Sequence, residues 1–210
     1  MNRSPLPRPA RRLAAQQLAL WRGFLRWAGR RGPDGVGAGD LAAPYAPAQA
    51  ATMYGLLFVA AAETVALAVV IPWPWVHTAV LVIDLWGCWY VLALHASCVV
   101  RPHVLRADGS LRLRYGPLLD VTLPASRIAV VRADRAFPEA RPGAVDASGR
   151  ADLPVGGMTT LTVELTEPLT YARPLGAPAA ARVFRVHAEN AAEVARAWRG
   201  IREASRPARE

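Results

Sequence analysis

Two long apolar runs, residues 52–71 and 76–100, are separated only by Pro72-Trp73-Pro74-Trp75, and no other feature constrains the fold so tightly. Each run carries a single charged residue, Glu63 in the first and Asp84 in the second. A helix of twenty residues covers ~30 Å, the thickness of a bilayer's hydrocarbon core. The longer second run suits a tilted span. Proline stops helices and tryptophan favours the headgroup layer, so the Pro-Trp-Pro-Trp stretch reads as a tight interfacial turn. The pattern predicts a hairpin of two transmembrane helices, 52–71 and 76–100. The first run begins at Thr52, late for a secretory leader, and a second span follows at once, so no cleaved signal is expected.

Orientation comes from the flanking arginines. Arg22, Arg26, Arg30 and Arg31 precede the first run, Arg101 and Arg106 follow the second, and the turn has no charge. The positive-inside rule then places both termini in the cytoplasm and leaves Trp73 and Trp75 at the outer interface. All 25 basic residues are arginine, against 16 acids, and alanine and proline are abundant. That bias suits a high-GC bacterial genome and hence the bacterial cytoplasmic (inner) membrane. Eight arginines lie in residues 1–50 against Asp34 and Asp40, whereas the C-terminal half is only mildly basic. A basic surface next to the spans points to phospholipid rather than nucleic acid, for which no motif is present.

Residues 1–50 read as a basic segment with an interfacial helix over about 9–28, then a glycine-rich linker, "GPDGVGAGD", at 32–40. Leu13, Leu20, Phe24 and Trp27 recur at helical spacing, and Trp21 and Trp27 with arginine suit a lipid interface. Past Val100 the period changes from helical to alternating. Asp108-Gly109 marks a hairpin turn. Strands are expected near 103–106, 110–116, 118–124, 127–135, 159–167, 169–174 and 181–189, with a loop over 136–157. Asn190 and Glu193 read as the start of a C-terminal helix of capping-box type whose stripe includes Val194, Trp198 and Ile201. Residues 101–204 thus form a cytosolic domain, and 205–210 a tail.

The stretches "RPHVLRADGSLRLRYGPLLDVTLPASRIAVVR" and "TTLTVELTEPLTYARPLG…RVFRVHAENAAEVARAWR" resemble the pleckstrin-homology-like (PH-like) domains of small bacterial membrane proteins in which two transmembrane helices come first. The resemblance covers about residues 51–202. It implies an α+β chain, a transmembrane α-hairpin followed by an antiparallel seven-stranded split barrel capped by a C-terminal helix. It also implies a non-catalytic interaction or assembly module and supplies no ligand residues. The loop Ala107-Asp108-Gly109-Ser110 lacks the basic residues of lipid-binding pleckstrin-homology loops.

Several residues stand out as candidate sites. Glu63 and Asp84 lie about ten residues either side of the turn, hence at equal depth near mid-bilayer. His77, Cys88 and His95 fall at offsets −7, +4 and +11 from Asp84, on one helix face. Two readings follow: a polar seam holding helices or protomers together, or a proton, ion or metal site along that face. Arg112 and Arg114 alternate on one strand and read as a solvated outer face, with a headgroup contact as the alternative because this strand emerges close to the membrane. Cys88 and Cys98 lack metal spacing and read as structural thiols. No nucleophile elbow, phosphate loop or cofactor motif occurs, so neither an enzyme nor a cofactor is expected. The sequence therefore predicts a membrane-anchored scaffold or membrane-sensing protein, partnered by the bilayer and by itself or another membrane protein. Its alternatives are a transport or proton-handling subunit using Glu63 and Asp84, and an anionic-lipid-binding module.

Overall fold

The computed structural model describes residues 8–139, 142–173 and 177–205, with side chains described from Ala14 onward, so Leu13's contacts and the 206–210 tail lie outside it. Helix α1 (Arg8–Ala28) forms where heptad-like spacing predicts it. One side of it packs along α3 (Pro74–Val100), while Leu18 and Leu25 stay exposed. Leu20 is buried there, and the Trp21 and Trp89 rings sit 4.3 Å apart. The helix ends in a Schellman motif. The Arg31 N–H donates to the Arg26 carbonyl at 3.0 Å and the Arg30 N–H to that of Trp27 at 2.9 Å. Arg30 therefore holds the left-handed position, with φ 49°, where a side chain is disfavoured. Arg30→Gly should raise the thermal stability of the detergent-solubilised chain by about 0.5–1 kcal/mol, the strain relieved less the added unfolded-state entropy.

Helix α2 (Pro47–Val70) and α3 form an antiparallel hairpin, each with proline in its first turn, where a missing N–H costs nothing. Both are long and apolar enough to cross a membrane, with mean hydropathy 2.0 and 1.7. None of the α2 window and 17% of the α3 window is buried. That exposure distinguishes them from the core helices of a water-soluble domain. Trp73 and Trp75 stand exposed at the turn, at the opposite end from Arg22, Arg26, Arg31 and Arg101.

The rest is an α+β unit of two four-stranded sheets. The first runs β1 (Leu41–Ala43), β2 (His103–Leu105), β3 (Leu111–Tyr115), β4 (Leu119–Leu123), all antiparallel. The second has the order β5-β7-β8-β6, with β5 (Ile128–Ala136), β6 (Arg150–Leu153), β7 (Thr159–Tyr171) and β8 (Ala179–Val186). Three expectations are corrected. There are eight strands among the described residues, not seven, in two sheets that do not close into a barrel. The pairing of β6 with β8 is parallel. The two strands expected at 159–167 and 169–174 are one strand, β7, whose ladder to β8 breaks between Glu164 and Leu169, the irregularity at which Pro168 is tolerated. The strand β6 lies inside the expected 136–157 loop, paired with β8, and its buried Asp152 is held by Arg185 of β8 through bonds of 2.6 and 2.8 Å. No hydrophobic alternation announced it.

Alternating inward residues of both sheets, such as Leu111, Leu113, Ile128, Leu161 and Phe184, make one core. Helix α4 (Ala191–Ala204) covers it with Val194 and Trp198, both buried. The Asn190 side chain does not cap α4 by accepting a backbone N–H. Its amide donates to Glu193 Oε2 at 2.8 Å and to the Ala42 carbonyl at 3.1 Å, tying α4 to β1.

Candidate functional site: an arginine cleft at the junction of helices and sheets

The stretch just after the expected 32–40 linker, Leu41 to Tyr45, is the keystone of this junction. β1 pairs with β2 in register Leu41↔Leu105, so residues between α1 and α2 complete a sheet built mainly after α3. Only Arg101 and Pro102 separate α3 from β2. Tyr45, buried, accepts a hydrogen bond at its hydroxyl from the Gly116 N–H at 2.7 Å, and its ring stacks parallel to that of Tyr115. Burial, with Cys98 adding to it, pushes the Tyr45 phenol well above its ordinary pKa, so it stays a neutral hydrogen-bonding group. The Glu189 N–H donates to the Pro44 carbonyl at 2.9 Å. The hairpin and the β domain are thus joined by paired backbone, not by a tether.

Beneath this junction lies His103. Its Nδ1 accepts from the Arg114 N–H at 2.9 Å, and Nε2 lies 3.0 Å from the His187 carbonyl. A carbonyl can only accept and an N–H can only donate, so these partners select the neutral Nε2–H tautomer. Burial is the main reason its pKa falls to about 4.

Arg114 is the second correction at the site. In place of a solvated outer face, its side chain is 1% exposed. The Asp34-Gly35 turn lies over it, and Arg114 Nη1 donates to the Asp34 carbonyl at 2.6 Å. Gly35 has φ +68°, where a side chain is strained, and a Cβ there would meet Arg114 Nη2 at 2.7 Å, so glycine suits this turn best. Arg112 on the same strand is half-buried and makes a bidentate pair with Asp120 at 2.7 and 2.6 Å.

Asp34 is shared by three guanidinium groups, none within hydrogen-bond distance of its carboxylate. Arg26 approaches to 3.9 Å, Arg101 to 4.0 Å and Arg114 to 3.8 Å. In front of Asp34 opens a cleft of about 650 Å³ between α1 and the end of α3, walled by Arg22, Arg26, Arg31 and Arg101, with Leu25 and Val100 as its apolar parts. Arg26 is braced by bonds to the Gly32 and Pro33 carbonyls at 2.7 and 3.3 Å. Arg30 stays outside the cleft wall, its backbone spent on the helix end.

The candidates on the two long apolar helices separate. His77 and Asp84 border one narrow gap against Thr64, Leu67 and Ile71 of α2. Glu63 does not share it: its side chain lies exposed on the outer surface of α2, and Thr64 takes the inward position. Equal depth along the two helices does not bring the acids face to face, because one residue along α2 turns the side chain by about 100°. Asp84 Oδ2 is buried without a partner. Cys88 is half-buried and free. His95 is buried near the other end, edge-on to the Tyr54 ring at 5.0 Å. Among the described residues no three of His, Cys, Asp and Glu gather as a metal-binding group.

No protein-family description, curated protein or solved structure matches this chain.

Proposed function

We propose that the protein is an integral protein of a bacterial cytoplasmic membrane, both termini inside, that holds a PH-like domain against the membrane surface as a non-catalytic interaction platform. The observation that carries the reading is the strand β1. A domain whose first sheet incorporates the chain between α1 and α2 has a fixed orientation to the hairpin, so a partner meets it at a defined height and angle. Pre-set geometry of this kind lowers the ordering cost of assembly. Among the described residues of the β domain, Phe137, just past the end of β5, is the large apolar side chain most open to solvent. The rival proton-handling reading is weakened by the outward position of Glu63, which leaves Asp84 facing Thr64.

The test is photocrosslinking in native membranes with benzoylphenylalanine in place of Phe137, compared with Phe58 on the outer surface of α2. A discrete protein adduct from position 137, retained when Glu63→Gln and Asp84→Asn are combined, is expected. Adducts from position 58 alone, or adducts abolished by those two isosteric changes, would overturn the platform reading.

A further inference from the structure

We infer that the arginine cleft binds a phosphate group, with the headgroup of an anionic phospholipid as its natural bearer. The inference rests on the membrane placement proposed above. Two arginine pairs elsewhere in this fold are closed: Arg112 with Asp120 and Arg185 with Asp152 are bidentate, at 2.6–2.8 Å. The cleft is built differently. Four arginines and a single carboxylate line it, and that carboxylate is also shared with buried Arg114. Arg101, whose side chain is 20% exposed, has only Asp34 at 4.0 Å and makes no hydrogen bond among the described residues. A half-buried guanidinium without a partner is costly, and its planar donors match a phosphate's oxygens.

Position argues for lipid. Val100 ends the apolar run of α3 and lines the cleft, and Leu25 is a further lining residue, so the space is apolar in part and cationic in part. A phosphate held by Arg26 and Arg101 would sit where the hydrocarbon gives way to water, with acyl chains free to run beside α1 and α3. Basic pockets between helices on the cytoplasmic side hold anionic headgroups in this way. Exposed Arg22 and Arg31 steer the anion and are screened by salt, whereas Arg26 and Arg101, being half-buried, supply the specific bonds.

The experiment uses the full chain in nanodiscs of phosphatidylcholine, with and without phosphatidylglycerol, and counts lipid retained in native mass spectra after transfer to detergent. Retention of phosphatidylglycerol should fall about tenfold in Arg101→Gln, one charge-assisted bond lost. It should rise severalfold in Asp34→Asn, which removes the competing carboxylate while its backbone carbonyl stays. The rise in Asp34→Asn guards against loss by misfolding. Competition by millimolar inorganic phosphate, with phosphate bound in pure phosphatidylcholine discs, would confirm the phosphate site and assign it a soluble bearer. Equal retention by wild type and both variants overturns the inference, since bulk charge would then explain binding. Failure of the chain to enter neutral discs at all would instead sink the membrane placement.

Discussion

Acidification from pH 7 to pH 4 should cost the folded protein about 3 kcal/mol through His103 alone, most of it already lost by pH 5. The sign follows from the depressed pKa, about 4 in the fold against about 6.5 in an unfolded chain. Between these values the unfolded chain binds the proton and the folded one refuses it. The stabilisation is therefore complete above pH 6.5 and disappears as the pH falls toward 4. Geometry gives the same answer independently: Nδ1 already accepts the Arg114 N–H at 2.9 Å and has no lone pair left for a proton. A charged imidazole would also stand beside Arg114, whose guanidinium stays positive. Hydrogen exchange at the β3 amides of the full chain in detergent, corrected for intrinsic rates, reports this directly. Protection at Arg114 should fall more than tenfold from pH 7 to pH 5, while His103→Gln starts lower and is flat over that interval. A wild-type profile as flat as the variant's would mean that the imidazole is not held as described.

The readable parts of this chain were those whose residues signal locally. The hairpin was legible from uninterrupted hydrophobicity, and α1 and α4 from apolar stripes at helical spacing. The turn at Asp108-Gly109 was legible because it closes locally, the Gly109 N–H donating to the Arg106 carbonyl at 2.9 Å. β1 was not: three residues, Leu41-Ala42-Ala43, cannot show a period, and their strand character comes wholly from pairing with residues about sixty positions away. Arg114 looked like its neighbour Arg112, since alternation says only which face a side chain shares. What buries one and half-exposes the other is the Asp34-Gly35 turn, supplied from 80 positions earlier. The cleft was half legible. Arg22, Arg26, Arg31 and Arg101 were singled out as flanking charges, but Asp34 was read as linker, and its three-way sharing is a tertiary fact. Glu63 shows the opposite failure, in which a one-dimensional count along the helix carries no azimuth: Thr64, not Glu63, faces the gap.

Gly23→Leu should detach α1 from α3 and cost about 3 kcal/mol or more, because the contact it fills is backbone against helix. A Cβ at Gly23 would stand 3.0 Å from Ser97 Cα and closer still to the Ser97 hydroxyl. The hydroxyl can rotate away; the Cα belongs to α3 and cannot. Separation of the helices would also strip Leu20, 1% exposed, of its cover and break the Trp21–Trp89 contact at 4.3 Å. Re-exposing a leucine to water adds about 1.5–3 kcal/mol, although lipid moving into the gap would return part of it. Limited trypsin digestion in native membranes should show the change, since Arg22 and Arg26 offer cleavage sites on α1 and Arg26 is braced by the Gly32 and Pro33 carbonyls. Cleavage after Arg26 should accelerate at least tenfold in the leucine variant and less in Gly23→Ala, whose single methyl asks for a smaller shift. The β domain should keep its own protection, since β1 joins it independently of α1. Unchanged cleavage after Arg26 would mean that α1 is not docked on α3, and the arginine cleft, whose two walls are those helices, would lose one of them.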